Sequence, residues 1–144
     1  MIKTRGVAHF SIPVRDVARS EAFYVGRLGL RPIHRSTQQG MVFLDSGGTC
    51  IILVEVEAPI STAGVVNVHH SFVVDRADYA AARAELEAAG VEILFEEDRQ
   101  GGAVNGPRFY FHDPDGNVLE LIDLTGYSGA GPADQPGTAP AGDP

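Results

Sequence analysis

The chain has 144 residues, of which 44% are hydrophobic and 21% are charged, and it carries a formal net charge of −8 at pH 7. This balance predicts one globular domain with a sizeable core, and the acidic charge argues against nucleic acid as a partner, because proteins that bind the phosphate backbone carry a basic face. No apolar run is long enough for a membrane span or a signal peptide, and Cys50 is the only cysteine, so we expect a cytoplasmic protein with no disulfide and no membrane partner.

The first part of the chain predicts a strand, a helix and three more strands. Residues 7–14 form a short apolar strand pattern, and Asp16 follows as a good helix N-cap. Apolar residues then recur at helical spacing until Gly29, which can close the helix. Three strands separated by turns rich in glycine are predicted at residues 30–35, 41–44 and 50–56.

The second part repeats this order after a looser stretch at residues 58–65. A strand is predicted at residues 66–74, and an alanine-rich helix follows at residues 78–89, stopped by Gly90. A glycine-rich loop at residues 98–107 is expected between the first two of the last strands. These last three strands are predicted at residues 91–96, 108–111 and 118–124.

The two parts are related by an internal duplication. The segment HFSIPV at residues 9–14 aligns with HHSFVV at residues 69–74, so that His, Ser and Val fall on identical residues. We therefore predict an α+β fold in one domain, residues 1–125, with module one at 5–57 and module two at 66–125. The remaining residues, 126–144, are mostly Gly, Pro, Ala and Asp, and we expect a flexible tail from about Gly129 onward.

Three residues of the predicted strands are candidate metal ligands. Strand side chains alternate between two faces, so His9 and His69 occupy equivalent places in the two modules. Glu120 lies between two leucines in the last strand, where an ionised carboxylate needs a partner. Two imidazoles and a carboxylate commonly bind a divalent ion. Either histidine alone could equally be a structural residue, and His70 is the fallback ligand if the register slips.

The sequence resembles the vicinal oxygen chelate superfamily, which has the glyoxalase/bleomycin-resistance-like fold. The resemblance covers roughly residues 5–125 and rests on HFSIPVRDVARSEAFYVGRLGL, HHSFVV and FYFHDPDGNVLEL. It implies that the two βαβββ modules form a cupped mixed sheet with a metal at its centre. The family's ligands match His9, His69 and Glu120. The resemblance also implies a homodimer, and in several members the two subunits share each site.

The resemblance leaves the reaction open, because this scaffold hosts several chemistries. Glyoxalase-type isomerases add a fourth ligand where this chain has Ile52, although a register slip could bring in Glu55. Extradiol dioxygenases carry a catalytic histidine at a place that falls within residues 101–103 here, where there is none. His112, which shares a face with Tyr110, could substitute for it. The fosfomycin-resistance thiol transferases use a lysine and an arginine side chain that face a phosphonate, and this chain has neither at the corresponding positions.

The resemblance therefore implies a divalent-metal-dependent enzyme of isomerase, lyase or thiol-transferase type that acts on a small oxygenated molecule. The metal, which is Mn, Fe, Ni, Co or Zn, acts as a Lewis acid. Tyr110 is the expected proton or hydrogen-bond donor, Arg108 the group that orients an anion, and Ser11 matches a hydroxyl residue of the thiol transferases. Tyr110 as a core aromatic and Arg108 as a solvent-exposed residue remain open. The alternatives in function are an extradiol-type dioxygenase and a metal-free drug- or metabolite-binding resistance protein.

Overall fold

A computed structural model describes residues 1, 3, 7–58 and 68–128, and within these ranges a strand, a helix and three strands occur twice. The first set is β1 (His9–Val14), α1 (Val17–Gly26), β2 (Arg31–Ser36), β3 (Met41–Ser46) and β4 (Thr49–Glu55). The second set is β5 (His69–Val73), α2 (Arg76–Ala88), β6 (Ile93–Arg99), β7 (Val104–His112) and β8 (Val118–Ile122), followed by a short strand, β9 (Gly126–Tyr127). The predicted α+β fold of two βαβββ modules is confirmed.

Each module forms a sheet with the same strand order and the same register. The order is β1-β4-β3-β2 in the first sheet and β5-β8-β7-β6 in the second, where β9 is added to β7. The pairs β1–β4 and β5–β8 are parallel, and the others are antiparallel. Ser11 lies opposite Ile52 in the first sheet, and Ser71 lies opposite Glu120 in the second. The duplication therefore extends to individual strand positions.

Side-chain alternation gives each sheet a core face and an outward face. The core faces and the two helices share one hydrophobic cluster, and burying this surface stabilises the fold by about 25 cal/mol per Å². In β1, β5 and β8 the core residues occupy every second position. His9, His69 and Glu120 occupy the alternate positions, so these candidate ligands lie on the outward faces. The buried members of the cluster include Ile12, Tyr24, Leu44, Leu53, Phe72, Phe109, Phe111 and Leu119.

Polar side chains fix the start of α1 as predicted. The Asp16 carboxylate accepts a hydrogen bond of 2.9 Å from the Arg19 N–H, which makes Asp16 the N-cap. Glu55 Oε2 accepts a further bond of 3.0 Å from the Val17 N–H. Glu55, at the end of β4, therefore caps the N-terminus of α1, and its side chain lies on the opposite face of the strand from Ile52.

A buried polar joint connects the modules within the chain. Tyr24 of α1 donates a hydrogen bond of 2.8 Å to Asp113, which lies in the turn between β7 and β8. Asn117 of the same turn donates to the Pro13 carbonyl of β1 at 3.1 Å. The turn also receives Arg19, whose guanidinium lies 2.6 Å from the buried Asp115 carboxylate. The turn predicted from its Asp, Pro and Gly residues thus also holds the two sheets together.

The predicted loop at residues 98–107 is wrong at both of its ends. The β6–β7 ladder continues to the pair Arg99 and Gly106, so that only residues 100–103 connect the two strands. Gly106 is a strand residue with φ 131°, and a Cβ there would lie 1.9 Å from the carbonyl oxygen of Asp123. A glycine that permits close backbone contact has the same sequence signature as a loop glycine.

The predicted tail also begins inside the fold. Gly126 and Tyr127 form β9, which pairs with Asn105 and Val104 of β7. Residues 129–144, on which the prediction of flexibility mainly rests, lie outside the described residues, as do residues 59–67 and thus the start of the strand predicted at 66–74. Within the described ranges no helix has the length and apolar character needed to cross a membrane.

Candidate metal centre

The second module brings a histidine and a carboxylate together on its outward face. Glu120 of β8 is only 2% exposed, and its Oε1 accepts a hydrogen bond of 2.5 Å from Ser71 of β5. His69, two residues before Ser71 on the same face, places its Nε2 3.4 Å from Glu120 Oε2. The parallel register of β5 and β8 produces this arrangement, because Ser71 lies directly opposite Glu120.

The second carboxylate oxygen of Glu120 is available to a ligand. Oε2 is buried and, among the described residues, has no hydrogen-bond partner. Its contacts with His69 Nε2 at 3.4 Å and with Arg108 Nη1 at 3.7 Å are ion-pair contacts, which are longer than ordinary hydrogen bonds. A buried carboxylate oxygen without a hydrogen bond is costly. An imidazole nitrogen beside such an oxygen is a donor set that suits a divalent metal ion.

Arg108 of β7 brings a fixed positive charge to this carboxylate. Its side chain is 5% exposed. Nε donates to the Gly106 carbonyl at 3.2 Å and Nη2 donates to the Val104 carbonyl at 2.9 Å, which leaves Nη1 facing Glu120. Arg108 is therefore a buried residue rather than a solvent-exposed one. Its Nε hydrogen and one Nη2 hydrogen already bind the backbone, so the two Nη1 hydrogens and the second Nη2 hydrogen are the donors left for a substrate.

Tyr110 lies opposite Glu120 in the β7–β8 ladder and is 4% exposed. Burial is the largest cause that raises the pKa of Tyr110 to about 12, followed by the neighbouring Glu120 carboxylate, while Arg108 acts in the opposite direction. The His69 ring meets the Tyr110 ring edge-on at 5.1 Å, and Phe95 stacks on it at 5.8 Å. The phenol therefore stays protonated at neutral pH and can act as a donor beside the carboxylate.

The first module supplies a simpler outward surface. His9 and Ser11 are exposed on β1, and Ile52 occupies the register position that Glu120 holds in the second sheet. Across the described ranges, no group of three or more His, Cys, Asp or Glu side chains within one chain could hold a metal ion. The structure thus joins His69 to Glu120 and does not bring His9 to them within a single chain.

The alternative ligands have other surroundings. His70 stacks on Phe10 at 4.9 Å on the core side, and burial is the main cause that lowers its pKa. Glu55 caps α1, as described above. His112 ends β7 in register with Val118, and its Nε2 is buried with no hydrogen-bond partner in the described part of the chain.

Sequence reasoning did not assign a role to Ser71. The residue was visible as the counterpart of Ser11 in the repeated HFSIPV and HHSFVV segments, and it shares a face with His69. Only the parallel pairing of β5 with β8 shows that its hydroxyl contacts Glu120.

Comparisons with known proteins agree with the fold. Residues 6–121 match the family model described as the Glyoxalase/Bleomycin resistance protein/Dioxygenase superfamily. The chain is 30% identical over 115 residues to the glutathione transferase FosA of Serratia marcescens, covering 78% of this chain and 77% of that protein. The fosfomycin resistance protein FosX of Listeria monocytogenes, solved with Mn(II) and sulfate, has a TM-score of 0.70 at 24% identity, over 85% of this chain and 93% of that one. The lactoylglutathione lyase of Agrobacterium tumefaciens has a TM-score of 0.66 at 20% identity, over 83% of this chain and 93% of that one.

These matches extend over both modules, and the structural neighbours share the two-sheet architecture. The matched range contains His9, His69 and Glu120, which lie on the outward faces described above. The chain therefore belongs to the glyoxalase/bleomycin resistance protein/dioxygenase superfamily, the vicinal oxygen chelate proteins.

Proposed function

We propose that this protein is a divalent-metal-dependent enzyme of isomerase, lyase or thiol-transferase type that acts on a small oxygenated molecule. The observation that carries the proposal is Glu120 Oε2, which is buried, has no hydrogen-bond partner in the part of the chain that the structure describes, and lies 3.4 Å from His69 Nε2. His69 and Glu120 would hold the metal together with His9 from a second copy of the chain. The metal is Mn, Fe, Ni, Co or Zn.

The named relatives support the class of chemistry. One is a glutathione transferase, one is a lactoylglutathione lyase, and one is a fosfomycin resistance protein solved with Mn(II). All three names fit a site that handles small molecules. The transferase and the lyase favour the non-redox reactions over oxygen chemistry for this chain.

The residues around Glu120 would each have a defined role. A divalent metal bound here would supply Lewis-acid stabilisation of a negatively charged oxygen on the substrate. Ser71 holds Oε1 and thereby directs Oε2 outward. Tyr110, which is protonated at neutral pH, donates a hydrogen bond or a proton to the substrate. Ser11 would reach the substrate from the first-module side, next to His9.

A homodimer would complete the site. His9 and Ser11 are exposed on one outward face, while the other outward face exposes Val73 by 66% and Phe95 by 49%. Exposed apolar residues around a polar site are typical of a surface that a partner covers. A symmetric dimer that places the first module of one chain against the second module of the other would cover both faces and form two equal sites.

The experiment that tests the proposal measures bound metal per chain by elemental analysis. The proteins are anaerobically purified wild type, Glu120→Gln, His9→Ala and the exposed control Glu85→Gln. We expect about one divalent metal per chain in wild type and control, and loss of metal from the two site variants. A wild type that stays metal-free after reconstitution, or a Glu120→Gln protein that keeps its metal, would refute the proposal. Iron as the native metal would favour the dioxygenase alternative.

Mixing two inactive variants tests the shared site. A heterodimer of His9→Ala and Glu120→Gln chains has one site that carries both substitutions and one site that carries neither. We expect the mixture to regain metal at about one ion per heterodimer, while each variant alone binds none. If the mixture binds no metal although wild type does, the site does not combine residues from two chains.

A metal-free binding protein is the second candidate. It is favoured by Arg108, because Nη1 at 3.7 Å already gives Glu120 a counter-charge without any metal. Tight binding of a small molecule by a metal-free wild type, with no turnover, would support this candidate.

A further inference from the structure

We propose that Arg108 is a positioning residue whose fixed charge weakens metal binding at Glu120 and makes it depend on an accompanying oxyanion. The inference rests on the proposed function, since it concerns the same site. Its consequence is cooperative binding, in which a divalent ion and a small anion each bind more tightly when the other is present.

The guanidinium is held in place by backbone atoms. Nε and Nη2 donate to the carbonyls of Gly106 and Val104 at 3.2 and 2.9 Å. Val104 is paired with Tyr127 of β9, and Gly106 packs against the carbonyl of Asp123 too closely to allow a Cβ. These contacts fix both carbonyls. Arg108 therefore has little freedom to move away when a cation approaches Glu120.

The positive charge of Arg108 lies next to the Glu120 oxygen that a metal would use. Nη1 is 3.7 Å from Glu120 Oε2, whereas Oε1 is occupied by the Ser71 hydroxyl. Like charges at a site with little water repel strongly, and a nearby cation disfavours the arrival of a second one. Glu97, which lies opposite Arg108 on β6, offers little relief because its own carboxylate is 3.0 Å from Arg99.

A small oxyanion would remove this repulsion. With one buried carboxylate against a divalent ion and Arg108, the site carries excess positive charge, and an anion that contacts both cations lowers it. The Nη1 group faces the site and has hydrogens that neither carbonyl uses. The gain in anion affinity from the metal equals the gain in metal affinity from the anion, as linkage requires.

The test uses three variants and Mn²⁺ as the probe. Arg108→Met and Arg108→Gln are both neutral but differ in polarity, and Arg108→Lys keeps the charge. The dissociation constant for Mn²⁺ is measured from the electron paramagnetic resonance signal of free Mn²⁺, with and without sodium sulfate. Sodium chloride keeps the ionic strength equal, and thermal unfolding verifies that each variant is folded.

We expect the affinity for Mn²⁺ to depend on the charge of residue 108 rather than on its shape. In the absence of sulfate, both neutral variants should bind Mn²⁺ at least about tenfold more tightly than wild type. They should also lose the tightening by sulfate that wild type and Arg108→Lys show. A purely structural role predicts the reverse, because disturbing the site would weaken Mn²⁺ binding in all three variants.

The outcomes separate this inference from the proposed function. If wild type binds Mn²⁺ and Glu120→Gln does not, while the neutral variants fail to bind more tightly, the role of Arg108 is refuted and the metal site stands. If wild type binds neither Mn²⁺ nor, by elemental analysis after reconstitution, any of the other candidate metals, both are refuted. Wild type alone tests the coupling even if the variants do not fold, since sulfate must tighten its Mn²⁺ binding at matched ionic strength.

Discussion

Removing one hydroxyl from the joint between the modules should destabilise the whole domain. Tyr24 is fully buried and donates a hydrogen bond of 2.8 Å to the carboxylate of Asp113, which is itself only 4% exposed. The same carboxylate accepts bonds from the Asn117 amide at 2.8 Å and from the backbone N–H groups of Asp115 and Asn117 at 2.9 Å. Tyr24→Phe keeps the ring and deletes only the Tyr24–Asp113 bond, which is one of the contacts between the modules.

The size of the effect follows from the charge of the acceptor. A hydrogen bond to a charged group contributes about 1.5–3 kcal/mol, so Tyr24→Phe should lower the free energy of unfolding by about 2 kcal/mol. Asp113→Ala leaves several buried donors without an acceptor and should cost about 4 kcal/mol. The double variant should cost less than the sum of the two, with a coupling energy of about 1.5–2 kcal/mol, because both substitutions remove the same bond.

Equilibrium unfolding in urea measures these differences. A loss of 2 kcal/mol lowers the midpoint by about 1 M when the slope is about 2 kcal/mol per M. Tyr79→Phe is the matched control, because the Tyr79 hydroxyl donates a longer bond of 3.3 Å to Glu96 at the exposed surface. The reasoning is refuted if Tyr24→Phe costs no more than Tyr79→Phe, or if the cycle with Asp113→Ala shows no coupling.

Three further substitutions test the candidate metal site and the strand β7 that borders it. Ser71→Ala should weaken Mn²⁺ binding about tenfold or more, since its hydroxyl orients the site carboxylate, whereas Ser36→Ala, which alters an exposed hydroxyl, should leave it unchanged. Gly106→Ala should cost more than about 2 kcal/mol in urea unfolding because its Cβ would meet a carbonyl oxygen at 1.9 Å, and Gly102→Ala, with its nearest contact at 3.7 Å, is the control. Tyr110→Phe should remove a phenolate absorbance step at about pH 12 and lower kcat by about 10²-fold or more while metal content persists; unchanged turnover would refute its role as donor.

Stability should also fall at alkaline pH because of Tyr24. Burial is the largest cause that raises the pKa of Tyr24 well above its usual value, followed by the Asp113 carboxylate. A raised pKa in the folded state means that the stabilisation is complete below the unfolded value of about 10 and is lost as the pH rises above it. Urea midpoints of wild type should therefore decline above about pH 10 more steeply than those of Tyr24→Phe; equal slopes would contradict this assignment.

Local sequence patterns were sufficient for the outline of the fold and for part of the site. The alternation of residues in the repeated HFSIPV and HHSFVV segments correctly predicted that His9 and His69 occupy equivalent strand positions. The alignment of Ile52 with Glu120 was also correct, because the two modules share one register. These features depend on side-chain periodicity and chain order, which the sequence carries directly.

Features that depend on distant contacts were not predictable in this way. The glycines near residues 101–106 indicated a loop, yet Gly106 allows a strand to approach the backbone of Asp123. The face of Arg108 could be inferred, but not that its guanidinium turns back to two carbonyls of its own strand. The turn at Asp113 was recognised, whereas its bond to Tyr24 joins residues that are 89 positions apart.

The register of the two sheets limits how His9, His69 and Glu120 could come together as ligands of one metal ion. Two first modules facing each other would present His9 twice with Ile52 in the carboxylate position, and so no acid. Two second modules would present Glu120 twice, and two buried carboxylates near one another oppose each other's ionisation. Only a first module facing a second module gives two imidazoles and one carboxylate. Among the described residues a single chain does not bring His9 to the other two, so the proposed metal site would need a symmetric dimer as the simplest assembly that completes it for every Glu120. Such a dimer would hold one metal for each chain rather than one for each dimer.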